Sequence, residues 1–253
     1  MFTTGNGSKN SRIESNSHLH TPSTNSPPPP PARYLSEMRA AAAALCYAAL
    51  AAAAPCSVPL LDPACCTLKS PATWNATFLT TVGAFTLTLE RAAAPLGVDR
   101  FYNLVTYGYF ANTTQGAPQP GNAAAFFRVL PGFVAQFGIA GLPRVSAAWV
   151  DANLRDDPVV RSNTIGTIAF ATAGPNTRTT QLFINLGDNS RLDADGFAPF
   201  GVVTAGLDVV QKLYSGYGET PDQDQIYAQG DAYLKASFPE LSYTLTTSIT
   251  TPA

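Results

Sequence analysis

An arginine and a glutamine stand eight positions apart in an otherwise apolar run, Phe126-Phe127-Arg128-Val129-Leu130-Pro131-Gly132-Phe133-Val134-Ala135-Gln136-Phe137-Gly138. A charge leaves water only when something compensates it. Arg128 is therefore either an edge-strand residue whose head reaches solvent or a group held at a site. More conventional chemistry is missing from this part of the chain. The two histidines, His18 and His20, and the four cysteines, Cys46, Cys56, Cys65 and Cys66, all precede residue 67. The remainder has no imidazole and no thiol, which removes Ser-His-Asp and Cys-His catalysis and argues against zinc. No metal or other cofactor is expected. Chemistry there must come from arginine, amides, carboxylates, hydroxyls or shape.

Periodicity predicts the elements that hold these residues. Arg128 lies in a strand that runs into a Pro131-Gly132 turn, and Gln136 lies in the short strand that leaves it. From Thr73, Trp74, Ala76 and Phe78 and then Phe85, Leu87 and Leu89 alternate with Thr-rich positions, with Gly83 at the turn between two strands. Pro95 opens a helix on which Val98, Phe101, Leu104 and Val105 share a face, and Gly108 closes it. Asn112 to Asn122 is a loop, and Pro143 to Val160 is a long connection carrying Trp149 and an Asp156-Asp157 charge pair. Further strands are predicted at 166–171, 181–185, 197–203 and 241–247. Helices are predicted around 207–214 and 222–238. Many short strands and few helices point to a closed antiparallel barrel.

Before this region the chain changes character twice. Residues 1–37 are polar, with prolines from Pro27 to Pro31, and cannot bury a core. Residues 38–55 begin Met38-Arg39 and continue as the alanine-rich run Ala40 to Ala54. That run is short for a membrane span, which needs roughly 20 residues, and it fits a secretory signal. Its alternatives are a buried helix, or one half of a two-part import signal toward an organelle lumen such as the thylakoid's. Met38 is itself a candidate start. After cleavage no stable membrane span is expected. Residues 56–72 form a linker with three cysteines, an odd number that allows at most one pair. Asn75-Ala76-Thr77 and Asn112-Thr113-Thr114 are glycosylation sequons. The globular domain is assigned to residues 73–248. A net charge of −2 over 253 residues gives nucleic acid binding no support.

Three blocks carry a family likeness. Phe126-x-Arg128-Val129-Leu130-Pro131-Gly132-Phe133-x-x-Gln136-x-Gly138 resembles the signature of the cyclophilins, the cyclosporin-binding class of peptidyl-prolyl cis-trans isomerases. Phe170-Ala171-Thr172-Ala173-Gly174-Pro175-Asn176-Thr177 with Gln181-Leu182-Phe183-Ile184 resembles the second block. Leu192-Asp193 and Phe200-Gly201 resemble the third. The likeness runs from about Trp74 to Tyr243. It implies a mainly β fold, a closed eight-stranded antiparallel β-barrel capped by helices, acting as a monomer on proline-containing polypeptides and assisting their folding. A weakly active module that only binds such segments is the alternative.

The same resemblance implies roles for residues. Arg128 matches the catalytic arginine, and Gln136 the glutamine that contacts the substrate carbonyl. Phe133, Phe183 and Leu192 match the pocket for the proline ring. Ala171, Thr172 and Gln181 match its rim. Three positions depart from the familiar cytosolic pattern: Val134 replaces a methionine, Arg191 a tryptophan and Phe197 a histidine. The last two resemble bacterial-type members, so activity is expected to persist while cyclosporin binds weakly. Arg191 would also favour acidic residues near the substrate proline, unless it is simply a solvated charge.

Overall fold

The computed structural model describes residues 59–111, 113–114, 117–118 and 122–251. The readings of residues 1–37 and 38–55, His18, His20, Cys46, Cys56 and the Asn112 sequon lie outside the described residues. In the linker, Cys65 is disulfide-bonded and Cys66 is a free thiol, whose pKa burial pushes up to about 11.

The described residues are mainly β. Strands β1 (Thr73–Thr80), β2 (Gly83–Glu90), β3 (Thr113–Thr114), β4 (Ala117–Pro118), β5 (Arg128–Leu130), β6 (Val134–Phe137), β7 (Thr167–Phe170), β8 (Leu182–Asn185), β9 (Gly201–Ala205) and β10 (Thr244–Thr250) form one sheet. Two of the ten, β3 and β4, are only two residues long. The other eight run in the order β10-β1-β2-β9-β7-β8-β6-β5, all antiparallel. An isolated antiparallel bridge joins Ala125, ahead of β5, to Tyr243, ahead of β10.

Alternation decides what each strand buries. Trp74, Ala76 and Phe78 of β1 and Phe85, Leu87 and Leu89 of β2 point into the core. Their outward neighbours pair as hydroxyls, with Thr77 Oγ1 3.0 Å from Thr86 Oγ1. The core is rich in rings. Phe78 stacks on Phe85 at 5.2 Å between centroids, and Phe126 lies 4.8 Å from Phe137. Helix α1 (Pro95–Thr106) closes one end with Val98, Phe101, Leu104 and Val105 buried, the face its spacing predicts.

Strands β7 and β8 differ, because every residue of both is buried. One face, with Ile168, Phe170, Leu182 and Ile184, belongs to the main core. The other face, with Ala169 and Phe183, joins Val134 in a small separate cluster on the far side of the sheet. A sheet covered on both faces at this point can present a pocket on its outer surface.

Several elements depart from the sequence reading. The connection 143–160 contains helix α2 (Pro143–Trp149). The segment 207–214 is only the short helix α3 (Leu207–Val210). The helix expected over 222–238 is two helices, α4 (Gln223–Gln229) and α5 (Asp231–Ser237), because Gly230 at φ 59° turns the chain between them. Asp156 and Asp157 are more than a loop charge pair. Asp157, 6 % exposed, accepts from the Leu96 and Gly97 amides at the start of α1 (3.0 and 2.8 Å) and faces buried Arg178 at 3.2 Å. The carboxylate satisfies two orphan N–H groups of a helix N-terminus.

Candidate active site

The hairpin β5–β6 places Arg128 directly opposite Gln136, and β6–β8 places Gln136 opposite Phe183. Side chains on neighbouring strands at one register position share a face. Val129 and Ala135 therefore point inward while Arg128, Gln136 and Phe183 point outward in one row across three strands. The eight-residue spacing of the arginine and glutamine is the spacing of partners across this turn.

The row is hydrogen-bonded along its length. Arg128 Nη1 donates to Gln136 Oε1 (3.3 Å), and Gln136 Nε2 donates to Gln181 Oε1 (2.8 Å). Gln181 Nε2 in turn donates to Gln223 Oε1 (3.0 Å) and Tyr227 Oη (3.1 Å). At the other end Arg128 Nε donates to Glu219 Oε2 (3.0 Å). The arginine is one-quarter exposed, so its charge is compensated without being withdrawn from solvent.

Beside this row lies a cavity of about 190 Å³. Its walls are Phe133, Val134, Phe183, Leu192 and Phe197, with Arg128, Gln136, Ala171 and Thr172 at its edge. All these residues are ones the sequence singles out, and the structure brings them together. Gln181 sits one step along, bonded to Gln136, and shares with Ala171 and Thr172 a larger adjoining cleft of about 470 Å³. Phe183 meets Phe197 edge-on at 5.5 Å. The ring of Phe133 has two guanidinium groups over it, Arg191 at 4.9 Å and Arg128 at 5.5 Å. Arg191 is exposed and donates from Nη1 to Asn189 Oδ1 (3.2 Å).

A buried amide network, which the sequence reading missed, supports the apolar wall. Asn189 Nδ2 donates to the Phe133 carbonyl (2.7 Å) and to Asn185 Oδ1 (2.7 Å). Asn185 Nδ2 donates to Asn163 Oδ1 (3.1 Å), and Asn163 Nδ2 donates to the Phe197 carbonyl and to Asp193 Oδ1, both at 2.8 Å. The loop bearing Leu192 and Phe197 is thereby tied to the β5–β6 turn bearing Phe133. Asp193 ties its turn to a distant segment, accepting from Ser162 Oγ and from Asn163 N and Nδ2. Burial works against its ionised form, but the donors Ser162 and Asn163 outweigh this and hold its pKa below the usual carboxylate value. The signal was three asparagines in or beside apolar strands, which are costly there unless bonded. Glu219, Gln223 and Tyr227 gave no signal, since their positions depend on a long connection.

Among the described residues no three His, Cys, Asp or Glu side chains cluster as metal ligands, and no helix is long and apolar enough to cross a membrane. The site offers a fixed cationic donor, an amide pair and a small apolar cup. That combination binds one compact ring and donates hydrogen bonds beside it.

A family described as cyclophilin type peptidyl-prolyl cis-trans isomerase/CLD matches residues 76–230. A peptidyl-prolyl cis-trans isomerase-like 1 of Gibberella zeae is 30% identical over 156 residues, 60% of this chain and 88% of that protein. A peptidyl-prolyl cis-trans isomerase of Acinetobacter baylyi is 31% identical over 139 residues, 53% of this chain and 68% of that one. Among solved structures, a cyclophilin-type peptidyl-prolyl cis-trans isomerase of Cryptosporidium parvum superposes with a TM-score of 0.51 at 16% identity, covering 72% of this chain and 99% of its own. At that identity the likeness is one of fold.

Two glycines of the hairpin are held for different reasons. Gly132 has φ 74° with nothing within 4 Å of a would-be Cβ, so Gly132→Ala carries left-handed strain alone, about 1–2 kcal/mol. Gly138 has φ 109°, and its Cβ would lie 2.4 Å from the Thr180 carbonyl oxygen beside Gln181. Urea unfolding of the two variants should show a clearly larger loss for Gly138→Ala. Equal losses would mean that close backbone approach is not what requires glycine there.

Proposed function

The chain belongs to the cyclophilin-type peptidyl-prolyl cis-trans isomerases, and from that membership we propose how its own residues carry the reaction. It is an isomerase of X-Pro peptide bonds and assists protein folding as the family does. The observation that carries the reading is the placement of Arg128 and Gln136, hydrogen-bonded to each other, at the edge of a 190 Å³ apolar cup. Small-molecule sites usually measure ~300–1,000 Å³. This one fits a single ring.

Resonance gives the X-Pro C–N bond partial double-bond character and a barrier of ~18–20 kcal/mol. No proton transfer or covalent step is needed to cross it. Phe133, Phe183, Leu192, Val134 and Phe197 grip the proline ring while the preceding carbonyl swings. Arg128 donates to the prolyl nitrogen as that nitrogen pyramidalises, which weakens the conjugation. Gln136 receives the swinging carbonyl, and Ala171, Thr172 and Gln181 line the path of the chain. These groups bind the twisted bond better than either planar form. Lowering the barrier by ~7 kcal/mol corresponds to roughly 10⁵-fold acceleration. Lone pairs on a neutral nitrogen attract a fixed cation only when the geometry is held, so the groups that hold Arg128 in place are part of the mechanism.

The fold reading extends to closure. The Ala125–Tyr243 bridge supports it, because it joins the β5 end of the eight-strand order to the β10 end, as do the hydrogen bonds from Phe126 N to Ser242 O (2.9 Å) and from Thr244 N to Ala124 O (3.0 Å). On this reading the strands form a closed eight-stranded barrel and the protein works as a monomer. Arg191 and Phe197 make the site a bacterial-type variant. An exposed arginine in place of tryptophan leaves cyclosporin without a broad apolar partner, and binding is weak. The disulfide at Cys65 supports an oxidising compartment. Together with the apolar run 38–55 it favours the secretory pathway, or an organelle lumen such as the thylakoid's. N-terminal sequencing of protein recovered from its native cells should find a start near residue 55; a start at Met1 would contradict export by this signal.

The activity is tested by NMR exchange between the cis and trans forms of a short X-Pro peptide. The wild-type protein should speed exchange, Arg128→Ala should lose roughly 10²–10³-fold, as for loss of one transition-state donor, and cyclosporin should inhibit only weakly. Peptide binding by the wild type without faster exchange would make the chain a binding module.

A further inference from the structure

One stretch outside the sheet touches both ends of the polar row. Glu219 Oε2 accepts from Arg128 Nε at 3.0 Å. Gln223 Oε1 and Tyr227 Oη accept from Gln181 Nε2 at 3.0 and 3.1 Å. Between these ends run the Arg128–Gln136 and Gln136–Gln181 bonds. Residues 219–227 therefore bracket every polar side chain of the row.

The stretch is itself anchored. The Val129 amide, next to Arg128, donates to the Gly218 carbonyl at 3.2 Å, so the segment covers the outer edge of β5. Asp222 caps α4 by accepting from the Gln225 amide at 3.0 Å. Ile226, 1 % exposed, inserts into a second apolar cluster with Phe127 and Ile139. A mobile loop could not hold an arginine in one orientation, but this segment is fixed at three points.

We propose that Glu219 is a positioning residue for Arg128, with Gln223 and Tyr227 doing the same for Gln136 through Gln181. This rests on the assignment of Arg128 and Gln136 to prolyl isomerisation. A guanidinium has five N–H donors in a rigid fork. Glu219 takes the Nε proton and Gln136 one Nη1 proton, which fixes the plane and leaves the other Nη protons for a ligand in the cup. Glu219 is 66 % exposed on its side chain, and exposed pairs add little to stability. Its contribution lies in orientation. Without it, the arginine must be immobilised during each turnover, at the cost of ordering one rotamer-rich side chain.

The test compares Glu219→Ala, Glu219→Gln and wild type in the same peptide exchange assay, with Arg128→Ala as the inactive reference. Glu219→Ala should lower kcat ~3–10-fold with KM within about twofold and an unchanged melting temperature. Glu219→Gln, which keeps an acceptor oxygen, should recover much of the loss. The Arg128 Nε–H resonance should be sharp in the wild type and broadened in Glu219→Ala, a readout that does not depend on turnover. A wild-type kcat in Glu219→Ala, or an Nε–H signal equally sharp in both, overturns the positioning role while leaving the isomerase intact. A wild type no faster than the uncatalysed reaction fails the assignment of Arg128 instead, and the Nε–H comparison then decides the positioning role alone.

Discussion

The site depends on the register that sets Arg128 against Gln136 and Gln136 against Phe183. A strand turns successive side chains to opposite faces, so a one-residue slip in β6 would bury the glutamine and expose Ala135 and Phe137. The core forbids that slip. Phe137 lies 4.8 Å from Phe126 and 6.0 Å from Phe78, inside a continuous aromatic interior. The packing that stabilises the sheet's inner face thus fixes the chemistry on its outer face. The short Pro131-Gly132 turn sets the same register from the other end.

The outer face needs more than register. A cationic side chain and an apolar cup must keep their relative placement to about 0.5 Å. Two supports do this. The asparagines 163, 185 and 189 tie the loop of Leu192 and Phe197 to the Phe133 backbone. The segment 219–227 holds the polar row. The buried amides are fully engaged with one another, which suits a low-dielectric setting where an unpaired polar group is expensive. The two supports meet at the cup, so its apolar and polar halves are braced independently.

Most of the site was legible in the sequence because its residues lie on strands joined by tight turns. Arg128, Phe133, Val134 and Gln136 occupy one hairpin, and local spacing predicts how they meet. Helix α1 was equally legible, since Pro95, its apolar face and Gly108 are all local signals. What was not legible depends on distant chain. Asp157 looked like half of a loop charge pair until helix α1 arrived above it. Glu219, Gln223 and Tyr227 reach the row only because Ile226 docks on Phe127 and Ile139, from which it is far removed in sequence. The break at Gly230 was visible as a glycine, but its effect on the expected single helix was not, because a glycine inside a helical pattern is often tolerated.

The most direct test of the account is a structure of this protein with a short Ala-Pro-containing peptide bound, by crystallography or by intermolecular NOEs. The account predicts the proline ring among Phe133, Phe183 and Leu192, with an Arg128 Nη group near the prolyl nitrogen and Gln136 near the preceding carbonyl. A proline seated in the adjoining cleft by Gln181 and Tyr227, with the 190 Å³ cup empty, would contradict it.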